Sequence, residues 1–216
     1  MPFAEAGPTA TGSPVSEDPR FSEPSLQDRL PILENSECTL ASLHEVSAAR
    51  QVRVLIFGIC DGIASTHLAW RDFPVVASNC SSEVDQDALA VGRHRFPNAE
   101  QLGSLEDITE DRIAGLIESY APDVLFASAG TPCQQLSCAA LDNAGFQGRD
   151  SSLFWAWRNF LCSLTKIAAR FRFPCFWLWE NVMMQEERLL QAEAALGKQA
   201  VIMNAAYLGH CRRLRI

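Results

Sequence analysis

Short apolar segments alternate with segments of helical character between Val52 and Leu196, and this alternation restricts the fold more than any other feature. The apolar runs lie at about 52–57, 75–80, 124–128 and 176–179, with a weaker one at 100–102. Each is short and bounded by glycine, proline or polar residues, as buried strands are. Strands separated by helices build a parallel sheet that is covered on both faces. We therefore predict a three-layer α/β domain with a mostly parallel sheet.

The first 50 residues differ in composition from the rest of the chain. Residues 1 to about 30 are rich in proline, serine, glycine and glutamate, a composition that buries too little apolar surface to offset the entropy of ordering. We expect 1–50 to be a disordered or weakly structured tail, with a short helix at about 40–49, and 51–216 to be one domain. Eight acids and three arginines lie in that tail, so most of the net charge of −8 belongs to it.

The eight cysteines and four histidines contain no Cys-x-x-Cys pair, so we expect no metal site of the zinc-clip type. Several cysteines lie in apolar segments, which is typical of free thiols in a reducing, intracellular compartment. No apolar run approaches the roughly 18 residues of a membrane span. The first residues also lack the basic start and apolar centre of a signal peptide.

Polar groups follow the first two predicted strands. The turn 57–66 contains Asp61 and Gly62, and Glu83 follows the second strand. The carboxyl ends of parallel strands meet at one edge of a sheet, where ligands bind, and an acid there can accept hydrogen bonds from ribose hydroxyls. The turn lacks the spacing of a phosphate-binding loop. An ordinary turn and a solvated acid remain open as alternatives.

Two further strands are followed by candidate catalytic groups. Cys133 lies in a loop, after Pro132, and its neighbours are loop-forming instead of apolar; a thiolate there could act as a nucleophile. Glu180 follows an aromatic strand, and a carboxyl group beside aromatic side chains retains its proton more readily, which suits proton donation. The alternatives are a packing cysteine and a surface acid. Arg213 and Arg215 lie in a basic terminus that could simply be solvated.

Taken together and in this order, these segments resemble the DNA (cytosine-5)-methyltransferase family, and the residues of the motifs are closest to those of its eukaryotic de novo type. The resemblance covers about 52–216, and Thr131-Pro132-Cys133-Gln134 with Glu180-Asn181-Val182 carries most of it. It implies a Rossmann-like S-adenosylmethionine-dependent methyltransferase fold. It also implies S-adenosylmethionine as cofactor and cytosine-containing duplex DNA as partner, with the target base flipped out of the stack.

The resemblance implies a role for each matching residue. Cys133 would add to C6 of cytosine, Glu180 would hydrogen-bond N3 and the exocyclic amine, and Arg213 and Arg215 would position the base. The residues implied to contact the substrate are Pro132, Asn181 and Val182. Those implied to line the cofactor pocket are Cys60, Asp61, Gly62, Ile63, Ala64, Ser65, Glu83, Val84, Ser104 and Leu136.

Two of the chain's departures from the family pattern bear on the expected function. Ser104 stands where the family usually has an aspartate, and the chain stops at Ile216, before the family's target-recognition region. We therefore expect a catalytic domain that is incomplete at its C-terminus. Two alternatives follow: a catalytically inactive regulatory protein of the same fold, or a tRNA cytosine-5 methyltransferase. A nuclear location and a homologous methyltransferase subunit as partner are further expectations from the resemblance.

Overall fold

The computed structural model describes residues 51–137, 145–148 and 152–204 and the backbone of 214–215. These residues belong to the unit Glu45–Ile216. The tail predicted for 1–50, with its helix at about 40–49, lies outside the described residues. So do Arg213 and the side chain of Arg215.

In the described part of the chain, strands and helices alternate as the sequence predicts. The strands of the main sheet are β1 (Arg53–Ile59), β2 (Val76–Ser82), β3 (Glu100–Gln101), β4 (Val124–Ala129) and β5 (Cys175–Trp179). The helices are α1 (Ser65–Trp70), α2 (Gln86–Arg95), α3 (Glu110–Tyr120), α4 (Ser152–Phe171) and α5 (Glu186–Leu196). Two 3₁₀ turns lie at Leu105–Asp107 and Gly145–Gln147, and β6 (Met203–Asn204) pairs antiparallel with β7 (Leu214–Arg215). None of these helices combines the length and the apolar character that crossing a membrane requires.

The main sheet has the strand order β3-β2-β1-β4-β5, and all of its pairings are parallel. The order reverses between β1 and β4, which is the point where open α/β sheets bind their ligands. The strands end level with one another, because Ile59 pairs with Ser82 and Ala129, and Ala129 pairs with Trp179. Residues that follow these four strands therefore start from one edge of the sheet.

The side chains of β1 alternate between two apolar layers. Leu55, Phe57 and Ile59 point to one face and belong to the larger core, which also contains buried residues of α3, α4 and α5. Val54 and Ile56 point to the other face, where Trp70 of α1 packs against them. A sheet with apolar cover on both faces is the three-layer α/β arrangement that the sequence predicts.

Helix α4 supplies most of the larger core. Its buried residues are Phe154, Trp157, Phe160, Leu161, Leu164, Ile167 and Ala168. These residues recur at the spacing of one helical face. Phe154 is fully buried because its ring packs against Phe146 and Trp179, at centroid distances of 4.5 and 4.9 Å. The start of α4 is thereby held against the end of β5.

Candidate active site

The turn between β1 and α1 is built around the carboxylate of Asp61. Its Oδ1 accepts hydrogen bonds from the backbone N–H and the hydroxyl of Thr66, at 2.9 and 2.7 Å. The Thr66 hydroxyl also lies 2.5 Å from that of Ser128 at the end of β4. Cys60, Gly62 and Ala64 all have left-handed backbone angles, with φ of 49°, 55° and 65°. The turn is therefore tightly coiled, and the acid fixes it from within.

Beneath this turn lies an ionisable residue that the sequence analysis missed. His67 is 2% exposed, and its Nε2 lies 3.8 Å from Oδ2 of Asp61. Burial lowers the pKa of His67, and the Asp61 carboxylate opposes that effect. A histidine in a short helix carries no sequence signal of this kind, because only packing decides which way its ring points.

Glu83 links the end of β2 to the same turn. Its Oε2 accepts a hydrogen bond from the N–H of Gly62 at 2.9 Å, and its Oε1 accepts from the N–H groups of Val84 and Asp85. Burial, with a smaller contribution from Glu83, raises the pKa of the Cys60 thiol to about 11. The carboxylate of Glu83 thus lies where the sequence places it, at the crevice beside Gly62.

Exposed apolar side chains flank this carboxylate. Val84 is 63% exposed and Ile63 is 45% exposed. Ser104 is half-buried and precedes the 3₁₀ turn, and beside Gly103, at φ 75°, there is open space. Of the other residues predicted to line a cofactor pocket, Ser65 is exposed, whereas Ala64 and Leu136 are buried.

The loop after β4 is anchored on both sides of Cys133. On the upstream side, the hydroxyl of Thr131 accepts a hydrogen bond from Nε1 of Trp179 at 2.8 Å. On the downstream side, the carbonyl of Cys133 accepts from the N–H groups of Leu136 and Ser137, at 3.0 and 2.9 Å. Leu136 is fully buried. Cys133 itself is half-buried, between these two anchors.

Asn181 joins the loop to the end of β5. It is 2% exposed, and its Nδ2 donates to the carbonyl of Thr131 at 3.1 Å, while its Oδ1 accepts from the N–H of Val182. An aspartate could not make the first of these bonds, because a carboxylate has no N–H to donate. The asparagine therefore ties the segment carrying Glu180 to the segment carrying Cys133.

Glu180 continues the pairing of β5 with β4, since its N–H donates to the carbonyl of Ala129 at 2.9 Å. Its side chain is exposed at the edge of the sheet; the aromatic strand does not enclose it, in contrast to the expectation from the sequence. Phe176 and Leu178 of that strand are themselves exposed, and alternation along β5 turns Trp179 inward. Pro132 and Val182 are half-buried.

The structure thus brings four predicted segments to one edge: those after β1, β2, β4 and β5. It does not test the role of Arg213, which lies outside the described residues. For Arg215, only the backbone is described, in β7 paired with Met203. Sequence reasoning gave no supporting role to three residues that hold the site together: Thr131, Trp179 and Arg188. They act through contacts between segments about 50 residues apart, which no local pattern reveals.

The family model for C-5 cytosine-specific DNA methylase matches residues 55–191, which is more than half of the chain. The chain is similar to a protein of Escherichia phage P1 named DNA N-6-adenine-methyltransferase, with 31% identity over 133 residues. That match covers 61% of this chain and 17% of the phage protein.

Two solved structures are also similar. An E. coli prophage-encoded protein, described as a DNA modification methyltransferase, matches with 20% identity and a TM-score of 0.53, over 75% of this chain and 44% of that one. A mutant of Spodoptera frugiperda DNMT2 matches with 18% identity and a TM-score of 0.47, over 74% and 47%. The chain therefore spans less than half the length of these relatives.

The first of these structures shares the α/β fold with this chain, and the predicted fold class is confirmed. The family model begins within β1 and ends within α5, and this range includes every segment that contributes to the edge of the sheet described above. The chain belongs to the C-5 cytosine-specific DNA methylase family.

Proposed function

We propose that this chain transfers a methyl group from S-adenosylmethionine to C5 of cytosine in DNA, through a covalent bond between Cys133 and C6 of the base. One observation carries the proposal: the Cys133 loop and Glu180 follow adjacent, level strands and are joined through Asn181 and Thr131. This places a thiol and a carboxyl group at one edge of the sheet. In its domain organisation, 51–216 is the catalytic part and 1–50 a tail.

The residues of the first crevice fit the proposed cofactor. The carboxylate of Glu83 can accept hydrogen bonds from ribose hydroxyls, since its three backbone donors leave acceptor capacity unused. Val84 and Ile63 offer exposed apolar surface to an adenine ring. Ser104 has a hydroxyl group that can donate or accept one hydrogen bond with a polar atom of such a ring. When bound, the cofactor supplies an electrophilic methyl group.

The chemistry of cytosine explains why a thiol and an acid are needed. C5 is a weak nucleophile, and addition of the Cys133 thiolate to C6 makes the ring electron-rich at C5. Glu180 holds a proton at N3 and so neutralises the charge that develops on the ring. After C5 has been methylated, its proton passes to solvent, the C5–C6 double bond re-forms, and the C6–S bond breaks to release the Cys133 thiolate. Arg213 and Arg215 would hold the base in place.

Covalent trapping tests this proposal directly. DNA with 5-fluorocytosine has fluorine where the departing proton would be, so the final elimination fails and the adduct persists. We expect an adduct on Cys133, found by peptide mass spectrometry, that requires the cofactor and is absent in C133S. The matched control is C162S, which removes an exposed cysteine of α4 and should trap normally. The absence of an adduct in cofactor-bound wild-type protein would reject the mechanism.

A second candidate follows from the phage P1 relative, whose name specifies methylation of adenine N6. An exocyclic amine is itself the nucleophile in that reaction and needs no thiol. Nucleoside mass spectrometry of treated duplex DNA separates the two products. N6-methyladenine that persists in C133S would favour this second candidate.

The sequence-based alternatives are separated by parallel assays. Methylation of tRNA and not of duplex DNA would favour the RNA substrate. Cofactor binding without turnover would favour the inactive regulatory protein, the alternative that Ser104 in place of an aspartate motivates. A nuclear location and pairing with a homologous methyltransferase subunit remain predictions from the resemblance.

A further inference from the structure

Arg188 is a charged residue inside the protein, and the chemistry above does not use it. It lies on α5 and is 8% exposed. Arginine is seldom buried unless its donors are satisfied, because an unpaired charge in the interior is costly. Its Nη1 donates a hydrogen bond to the carbonyl of Gln135, two residues after Cys133, at 3.0 Å.

The guanidinium group also contacts the segment that follows the Cys133 loop. A Cβ on Gly145 would lie 3.2 Å from Nε of Arg188 and 3.6 Å from its Cζ, so the side chain packs directly on that glycine. Gln135 extends this contact, because a Cβ on Gly148 would overlap its side-chain amide. Arg188 therefore joins α5, the Cys133 loop and the segment Gly145–Gly148.

This contact completes the support of the loop. Thr131, on the upstream side, is held by Trp179 and Asn181 at the end of β5. On the downstream side, Ser137 forms a bridge with Met184, and Arg188 binds the intervening turn. One continuous segment, from the end of β5 to the first turn of α5, thus contacts the loop on both sides of the thiol.

We propose that Arg188 is a positioning residue for Cys133, acting through the carbonyl of Gln135 to hold the loop in one conformation; its effect on methylation rests on the proposed function. The side chain suits this task because a planar guanidinium presents several donors in fixed directions, while its Nε and Cζ pack on Gly145. Lysine keeps the charge but not this shape, and methionine keeps the bulk but donates nothing.

Hydrogen exchange tests the positioning separately from catalysis. In R188M we expect amide exchange in a peptide covering Thr131–Ser137 to be about tenfold faster than in wild type, with β1 unchanged. R188K should fall between the two. The matched control is R158M, since Arg158 is an exposed arginine whose Nε donates to the carbonyl of Ala195, at 3.4 Å, away from the loop. Loop exchange in R188M equal to that of wild type would overturn the proposal.

Kinetics supply the second measurement. We expect R188M to trap 5-fluorocytosine DNA at least about tenfold more slowly, with cofactor affinity within about twofold of wild type. The reason is that Arg188 binds Gln135 and packs on Gly145, whereas backbone N–H groups of Gly62, Val84 and Asp85 hold the Glu83 carboxylate. Unaltered trapping would overturn the role in methylation. Should R188M fail to fold, R188K decides: faster loop exchange supports the proposal and wild-type exchange overturns it. If the wild type traps no DNA, the proposed function fails, while the exchange result still decides the positioning role.

Discussion

His67 is a buried titratable group next to the proposed cofactor crevice. Neither of its ring nitrogens makes a hydrogen bond within the described residues, and its ring meets that of Phe96 edge-on at 5.6 Å. Burial lowers the pKa of His67, so the folded protein favours the neutral ring, although Asp61 acts in the opposite direction. The cost of protonating this ring therefore falls on the folded state.

The sign of the resulting pH dependence follows from this lowered pKa. Below about pH 6.5 the unfolded chain binds a proton that the folded one does not. The free energy of unfolding therefore decreases as the pH is lowered, by up to about 1.4 kcal/mol per pH unit. We expect H67L to lack this loss. The difference in free energy of unfolding, H67L minus wild type, should therefore increase as the pH is lowered. Urea unfolding at about pH 7.5 and pH 5.5 measures it. H94Q, at an exposed histidine, is the control, and identical pH dependence in H67L and wild type would contradict the prediction.

At the scale of elements, the turn between β1 and α1 depends on the close approach of Asp61 to the backbone of β1. A Cβ on Gly58 would lie 2.5 Å from Oδ2 of Asp61 and 2.8 Å from its Cγ. Any side chain at this position must therefore displace the carboxylate that holds Thr66. The turn then loses the contacts that shape the crevice beside Glu83.

We expect G58A to lower the free energy of unfolding by about 1–3 kcal/mol, as overpacking in an interior does, and to weaken cofactor binding. Thermal or urea unfolding measures the first effect and calorimetry the second. G115A is the matched control: Gly115 lies within α3, and a Cβ at this position would have nothing within 4 Å, so alanine there should stabilise by about 0.5–1 kcal/mol. G58A with wild-type stability would show that Asp61 can move at no cost.

At the scale of the whole molecule, the protection of backbone amides against hydrogen exchange should decrease from the centre of the sheet outward. β1 has neighbours on both sides and is almost fully buried, and β4 is likewise paired on both sides. β5 pairs only with β4 among the described residues, and Phe176 and Leu178 are 40% and 55% exposed. Its outer edge also borders a groove of about 550 Å³ that includes Leu196 and Val201.

We therefore expect amides at 55–59 and 125–129 to exchange only through global unfolding, and those at 175–179 to exchange at least about tenfold faster through local opening. Hydrogen exchange with mass spectrometry at several denaturant concentrations distinguishes the two. Equal protection of β1 and β5 would contradict this prediction and would indicate that the outer edge of β5 is covered in solution.

Much of this architecture could be predicted from the sequence. Apolar runs located every strand of the main sheet to within a few residues, and their alternation with segments of helical character predicted that helices connect them. Burial repeats with the period of the backbone, and that period is visible in the sequence. The order of the motifs predicted the family, and the strand-end positions of Cys133, Glu83 and Glu180 followed from the parallel sheet.

The tertiary structure alone decided how those residues are held. Thr131 meets Asn181 and Trp179, and Gln135 meets Arg188, only because β4 pairs with β5 and α5 folds back over the loop. It also decided that the side chain of Glu180 is exposed and that His67 is enclosed. The physical reason is that strand and helix periods are local properties of the chain, whereas hydrogen bonds between distant segments depend on which strands become neighbours. The sequence by itself thus determined which groups reach the edge of the sheet, and the packing between β4, β5 and α5 determined their support.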